Sequence, residues 1–174
     1  MEIFFRKMNT VEEVNDFWQK KRHYEREDIF PNLEEKDDEL QEIIAWFQSE
    51  EYYEIIMDLH QHAQAGGQTL SFVFMFDEQN NYLGFTMYKI YTEEDGKAFI
   101  LDFCIEKDYR NKGIGSIVVR ELEKFLKREG ASYIALNTSN KKNLNFWEKN
   151  GFSKFATDEF GKMVYTKKIL IDGN

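Results

Sequence analysis

The stretch Leu101-Asp102-Phe103-Cys104-Ile105-Glu106-Lys107-Asp108-Tyr109-Arg110-Asn111-Lys112-Gly113-Ile114-Gly115-Ser116 decides how this chain reads. Its first part completes a β-prone run over Lys97 to Glu106, and its last part opens a run in which Ile117, Val118, Leu122, Phe125 and Leu126 share one helical stripe. A strand therefore leads through a glycine loop into a helix over Ser116 to Glu129, stopped by Gly130. Gly113 and Gly115 let the backbone take positive φ and approach a ligand closely, while the amides from Asn111 to Ser116 sit at a helix start with its partial positive charge. That is an anion site suited to a diphosphate, with Arg110 and Lys112 adding positive charge. A plain tight turn is the bland alternative. A dinucleotide fingerprint would need a glycine at Val118, and a Walker A loop would need a Gly-Lys-Ser or Gly-Lys-Thr that the chain lacks.

Working outward, Thr69 to Phe76 and Tyr82 to Tyr91 are aromatic and β-branched, and Asp77 to Asn81 supply turn chemistry between them. With Lys97 to Glu106 they form an antiparallel meander. Tyr133 to Asn137 is a short strand, so strand, helix and strand make a right-handed crossover. Asn140 can cap a last helix carrying Leu144, Phe146 and Trp147, and Phe152 to Thr157 and Lys162 to Leu170 can pair as closing strands. Before the meander, Ile3 to Phe5 read as a strand. Thr10 and Glu13 have capping-box spacing for a first helix to about Arg26, with Val11, Val14, Phe17 and Trp18 on one face. Leu40, Ile43, Ile44 and Phe47 mark a second helix, and after Ser49 the apolar phase shifts, so that helix either kinks there or gives way to a third.

At 174 residues the chain fits one domain on a prior of roughly 150 residues each. Its expected parts are residues 1–65 with the N-terminal strand and helices, 69–130 with the meander, loop and helix, and 131–174 with the closing elements. One proline, 42% hydrophobic and 32% charged residues exclude a disordered or collagenous chain. A single cysteine fits a reducing compartment, and the absence of an apolar leader or long apolar run points to a cytoplasmic protein without membrane association. The net charge of −9 disfavours nucleic acid. Residues 1–65 hold 17 acidic against 7 basic side chains and the rest 15 against 16, so the surplus sits in the N-terminal third. It is either a solvated helical face or a surface for a cationic partner. His60 and His62, two apart on a helix, share no face and are read as surface residues with no metal expected.

The stretch from Leu101 to Ser116 resembles motif A of the Gcn5-related N-acetyltransferases: Arg or Gln, two residues, Gly, one residue, Gly or Ala. Asn140 through Phe146-Trp147-Glu148-Lys149-Asn150-Gly151-Phe152 resembles their second motif, an Asn-capped helix ending in an aromatic residue, three residues and Gly-Phe. The element order matches as well. The resemblance implies an α/β (α+β) GNAT acyl-CoA N-acyltransferase fold, a mixed, mostly antiparallel twisted sheet of about seven strands with helices on both faces. It implies acetyl-CoA as donor, with the pyrophosphate on amides of Asn111, Lys112, Gly113, Ile114, Gly115 and Ser116, beside Arg110. Phe103 and Ile105 would offer main-chain bonds to the pantetheine, and the amide near Cys104 or Ile105 would stabilise the oxyanion; Asn140, Asn143 and Trp147 fall on the donor side. The strand would splay from Tyr133 to Asn137 to admit the thioester. An amine acceptor, cationic in view of the acidic third, attacks directly, so Cys104 is no nucleophile. Asp102, Cys104 and Glu106 alternate onto one strand face, which makes Asp102 and Glu106 the candidate bases. Some relatives carry the base where this chain has Leu101, and many carry a tyrosine where it has Trp147, whose indole cannot protonate a thiolate. Water, Ser139, Tyr109 or Tyr165 would supply that proton, or the thiolate would leave unassisted. An acyl-CoA sensor with little catalysis is the alternative reading, and a homodimer is common among relatives.

Overall fold

The computed structural model describes residues 1–170 except Ala65 and Ser139. Seven strands form one sheet: β1 (Phe4–Lys7), β2 (Ser71–Phe76), β3 (Tyr82–Ile90), β4 (Lys97–Ile105), β5 (Tyr133–Asn137), β6 (Ser153–Thr157) and β7 (Met163–Lys168), in the order β1-β2-β3-β4-β5-β7-β6. Only β4 and β5 run parallel. The helix between them, α4 (Ile114–Arg128), is the crossover that parallel neighbours require.

Local chemistry accounts for the other helices. In α1 (Val11–Tyr24) the Thr10 side chain accepts from the Glu13 N–H while Glu13 reaches back to the Thr10 N–H, which satisfies two amides at the helix start. The chain then continues through a π turn, Glu25–Ile29. Of the two readings at Ser49, the break is the one the fold takes. The Ser49 hydroxyl donates to the Trp46 carbonyl at 2.6 Å and accepts from the Tyr52 N–H at 3.1 Å, so it closes α2 (Asp37–Phe47) and caps α3 (Glu50–Gln61). Asn140 caps α5 (Lys141–Lys149) in the same way.

Alternation along β2, β3 and β4 gives the sheet two apolar faces. On one, α1 and α3 bury Phe17, Trp18 and Ile56 against Phe72, Phe74, Phe85 and Met87. On the other, Val119, Leu122 and Leu126 of α4 and Trp147 of α5 pack on Tyr88, Ile100, Ile134 and Leu136. His60 departs from the surface reading: its ring stacks on Phe72 at 3.9 Å and its Nδ1 lies 2.8 Å from the Leu70 carbonyl. No helix among the described residues is long and apolar enough to cross a membrane.

Phe17 centres the helical layer, fully buried and stacked on Phe72 with centroids 4.2 Å apart. Phe17→Ala is expected to destabilise the protein by about 3–5 kcal/mol through lost burial and the cavity left behind, read as a lower urea midpoint with little change in slope.

Candidate active site

Strand β4 pairs with β3 over nearly its whole length but with β5 only at Lys97↔Tyr133, Ala98↔Ile134 and Phe99↔Ala135. Past Phe99 the two strands part, while β5 stays bonded to β7 on its other side as far as Asn137. The Glu106 N–H donates to the Leu83 carbonyl at 2.9 Å, and antiparallel alternation then turns the main chain of Cys104 towards β3 and that of Phe103 and Ile105 into the opening. The Ile105 carbonyl agrees with this, since it accepts from Arg110 Nε at 2.6 Å rather than from β3. Of the two amides expected at the oxyanion, that of Cys104 belongs to the ladder and that of Ile105 faces the opening. The register shifts so that Met87 opposes Asp102 and Tyr88 opposes Ile100, which leaves Leu101 as a bulge residue, 40% exposed, at the point of parting.

The loop after β4 corrects two expectations. Gly113 is in the left-handed region at φ 79° and has open space where a side chain would project, whereas Gly115 is helical. A Cβ on Gly115 would lie 3.1 Å from Phe146 Cε2, so that glycine is small to admit α5 and not to free the backbone. The amides of Ile114, Gly115 and Ser116 form the first turn of α4, with no helical carbonyl behind them to accept. Arg110 does not point at this turn. Its guanidinium grips Asp28 of the π turn bidentately at 3.0 and 2.8 Å, and Nη2 lies 3.8 Å from Cys104 Sγ. Lys112 Nζ folds onto the Asp108 carbonyl at 2.7 Å, and Asn111 takes a positive φ of 60°. Both basic side chains of the loop are thus engaged by neighbouring acceptors.

In α5 the Asn140 side chain accepts from the Lys142 and Asn143 amides at 2.9 and 3.3 Å, so it is used as a cap, while Asn143 is exposed. Trp147 is a core residue, 7% exposed, packed edge-on against Phe103 and Phe152. Of the other proton donors named above, Ser139 lies outside the described residues, Tyr165 is buried on β7 and Tyr109 is half-buried in the loop.

On the opposite side of β4, Asp102 receives a 2.5 Å hydrogen bond from Lys21 Nζ, whose side chain is 1% exposed. Lys21 also lies 3.4 Å from Glu25 Oε2. Burial alone would depress the Lys21 ammonium; the charges of Asp102, Tyr52 and Glu25 outweigh it and hold the group above the usual lysine range. Glu25 is raised from the carboxylate range by burial first, with Lys21 opposing and Asp102 adding to the rise. Cys104 is buried and its thiol is pushed up to about 12, again by burial, with Arg110 pulling the other way. Glu106 ends the same strand face, its charge felt by Tyr82. Lys21 and Glu25 were not among the sequence candidates. They had a signal, because they continue the buried α1 stripe of Val14, Phe17 and Trp18 at helical spacing, where a charged side chain needs a partner.

The chain matches the Acetyltransferase (GNAT) family over residues 14–152, and it belongs to that family of acetyltransferases. Among solved structures it is similar to the PaiA N-acetyltransferase of Thermoplasma acidophilum in complex with coenzyme A, at 23% identity and TM-score 0.63 over 97% of this chain and 99% of that one. Tetrahymena Gcn5 matches at 11% identity and TM-score 0.62 over 96% of each chain, and a GNAT-family acetyltransferase of Staphylococcus aureus at 13% and 0.57 over 97% of this chain and 100% of that one. No curated protein matches it in sequence.

Two variants separate the glycines. Gly113→Asn, whose backbone tolerates the left-handed region while its side chain fills the open space, is expected to weaken coenzyme A binding in calorimetry with little change in melting temperature, and Gly115→Val to lower the melting temperature through its clash with Phe146. Lys21→Ala removes the cation between two buried carboxylates and is expected to destabilise by about 3–5 kcal/mol, measured by urea unfolding.

Proposed function

We propose that the protein transfers the acetyl group of acetyl-CoA directly to a primary amine that arrives as a cationic ammonium. The observation that carries this reading is the parting of β4 from β5, with main-chain groups of Phe103 and Ile105 turned into the opening and the first turn of α4 beyond it. The donor's chemical contribution is a thioester carbonyl open to attack.

The chain's own groups supply the rest. Amides from Asn111 to Ser116 hold the pyrophosphate, with Gly113 leaving room for it. Phe103 and Ile105 align the pantetheine as an added strand would be aligned, and the Ile105 N–H is placed to meet negative charge on the thioester oxygen. Asp102 and Glu106 were the candidate bases on this strand. Asp102 is engaged by Lys21, so it orders the acceptor side as an ion-pair partner, and Glu106 is left as the strand's carboxylate towards the loop. Cys104 takes no acyl group, because a buried thiol pushed up to about 12 holds almost no thiolate at neutral pH.

The acceptor's charge class rests on the acidic N-terminal third, which builds the helices over the α1 face. Part of that acidity has structural work: Asp28 holds Arg110, Glu27 lies 3.6 Å from Lys107, and Asp37, Asp38 and Glu39 oppose the dipole at the start of α2.

The reading is tested by following free thiol from acetyl-CoA with a panel of primary amines and identifying the acetylated amine by mass spectrometry. Amine-dependent thiol release that persists in Cys104→Ala is expected. Thiol release independent of amine, or an acetylated Cys104 whose replacement abolishes turnover, would overturn it.

A further inference from the structure

The helical layer carries a cleft beside the Lys21 cluster, about 240 Å³ in volume and lined by Arg22, Glu25, Arg26, Phe30 and Gln48. Its inner and outer ends differ in charge. Glu25, 3% exposed, forms the inner end, and its Oε2 makes no hydrogen bond among the described residues. The adjacent ammonium of Lys21 is nearer to Asp102, at 2.5 Å, than to Glu25, at 3.4 Å. Towards solvent stand two guanidinium groups: Arg22, half-buried and 5.1 Å from the Trp18 ring centre, and exposed Arg26.

The donor nearest to Glu25 Oε2 is the Lys21 ammonium, which a closer carboxylate shares, and a buried carboxylate held so loosely is better met by a ligand that brings a donor of its own. Lys21 is thus one ammonium shared by two carboxylates, the closer being Asp102, and Glu25 is the carboxylate that lines the cleft. Guanidinium forks suit carboxylates, which they bind through paired N–H donors. The apolar ring of Phe30 lies among the same lining residues. The volume is below the usual range for drug-sized ligands and suits a molecule the size of one amino acid.

We propose that this cleft receives the acceptor and that the acceptor is an amine bearing a carboxylate, its ammonium on Glu25 and its carboxylate on Arg22 and Arg26. The inference deepens the acetyl-transfer reading and rests on it, since Glu25 is joined through Lys21 to Asp102 of β4, beside the bulge where the donor's opening begins. A polyamine would set its second ammonium against two guanidinium groups. In the transfer the ammonium first gives one proton to solvent, the neutral amine nitrogen then bonds to the thioester carbonyl carbon, the C–S bond breaks with its electron pair on sulfur, and the second proton lost from nitrogen balances the thiolate through solvent.

The test compares matched acceptors with and without the carboxylate, lysine with cadaverine and phenylalanine with phenethylamine, in thiol-release assays of the wild type, Arg22→Gln/Arg26→Gln and Glu25→Gln. Coenzyme A affinity by calorimetry and thermal melting are measured for each protein. The wild type is expected to favour the carboxylated member by about tenfold or more in kcat/KM. The arginine double variant is expected to lose that preference, and Glu25→Gln to lower kcat/KM for both members, with coenzyme A affinity unchanged. Preference for the decarboxylated amines, or a carboxylate preference that survives in the folded double variant, overturns the cleft assignment while the donor reading stands. If the wild type does not bind coenzyme A, the donor reading fails and the cleft assignment with it.

Discussion

A strand with two edges must find partners for both, and β4 finds them for only one. Its ladder to β3 takes the main chain of Cys104 and Glu106, but β5 stays beside it only as far as Phe99 and gives its other edge to β7 from Tyr133 to Asn137. Buried N–H and C=O groups left at such an edge require another partner. Arg110 supplies one to the Ile105 carbonyl, and the remainder face the opening. The loop at the end of β4, the start of α4 and the cap of α5 are all arranged around that edge.

Two charged ties hold the helical layer against it. Lys21 reaches from α1 to Asp102 on β4, and Arg110 reaches from the loop to Asp28 in the π turn that follows α1. Each joins elements about eighty residues apart, and each is short enough that loss of one partner would strand the other's charge. The helical layer and the glycine loop are thereby held in register by the same strand, with Asp102 and Arg110 only eight positions apart in the chain.

On the other face the constraint is size. Gly115 allows Phe146 to approach the first turn of α4, and Phe146, Trp147, Phe103 and Phe152 then form a chain of aromatic contacts from α5 to β4. Trp147 is held in that packing, buried against Phe103 and Phe152. A tyrosine there would place a hydroxyl in the same apolar surroundings and would need a partner of its own.

Local sequence determined the order and kind of the elements, because apolar periods of two and near four are set by residues a few positions apart. Tyr133 to Asn137 reads as β5 residue for residue, and Thr10 and Asn140 announce their helices by capping chemistry, whereas at Ser49 the apolar phase left a kink and a break both open. The start of α4 reads two residues late, at Ser116, because Ile114 and Gly115 look like loop until Gly113, in its left-handed conformation, is seen to be the cap. The paired glycines look alike in the chain and differ only in the fold, where one meets open space and the other meets Phe146. Which cation answers which carboxylate was decided by tertiary structure: Arg110 belongs to Asp28 and Lys21 to Asp102, and nothing in local spacing distinguishes these from the chain's other charges. Charge pairing carries no sequence period. It follows from the distances that packing imposes, as does the parting of β4 and β5, which depends on where the register of one strand pair ends and that of the next begins.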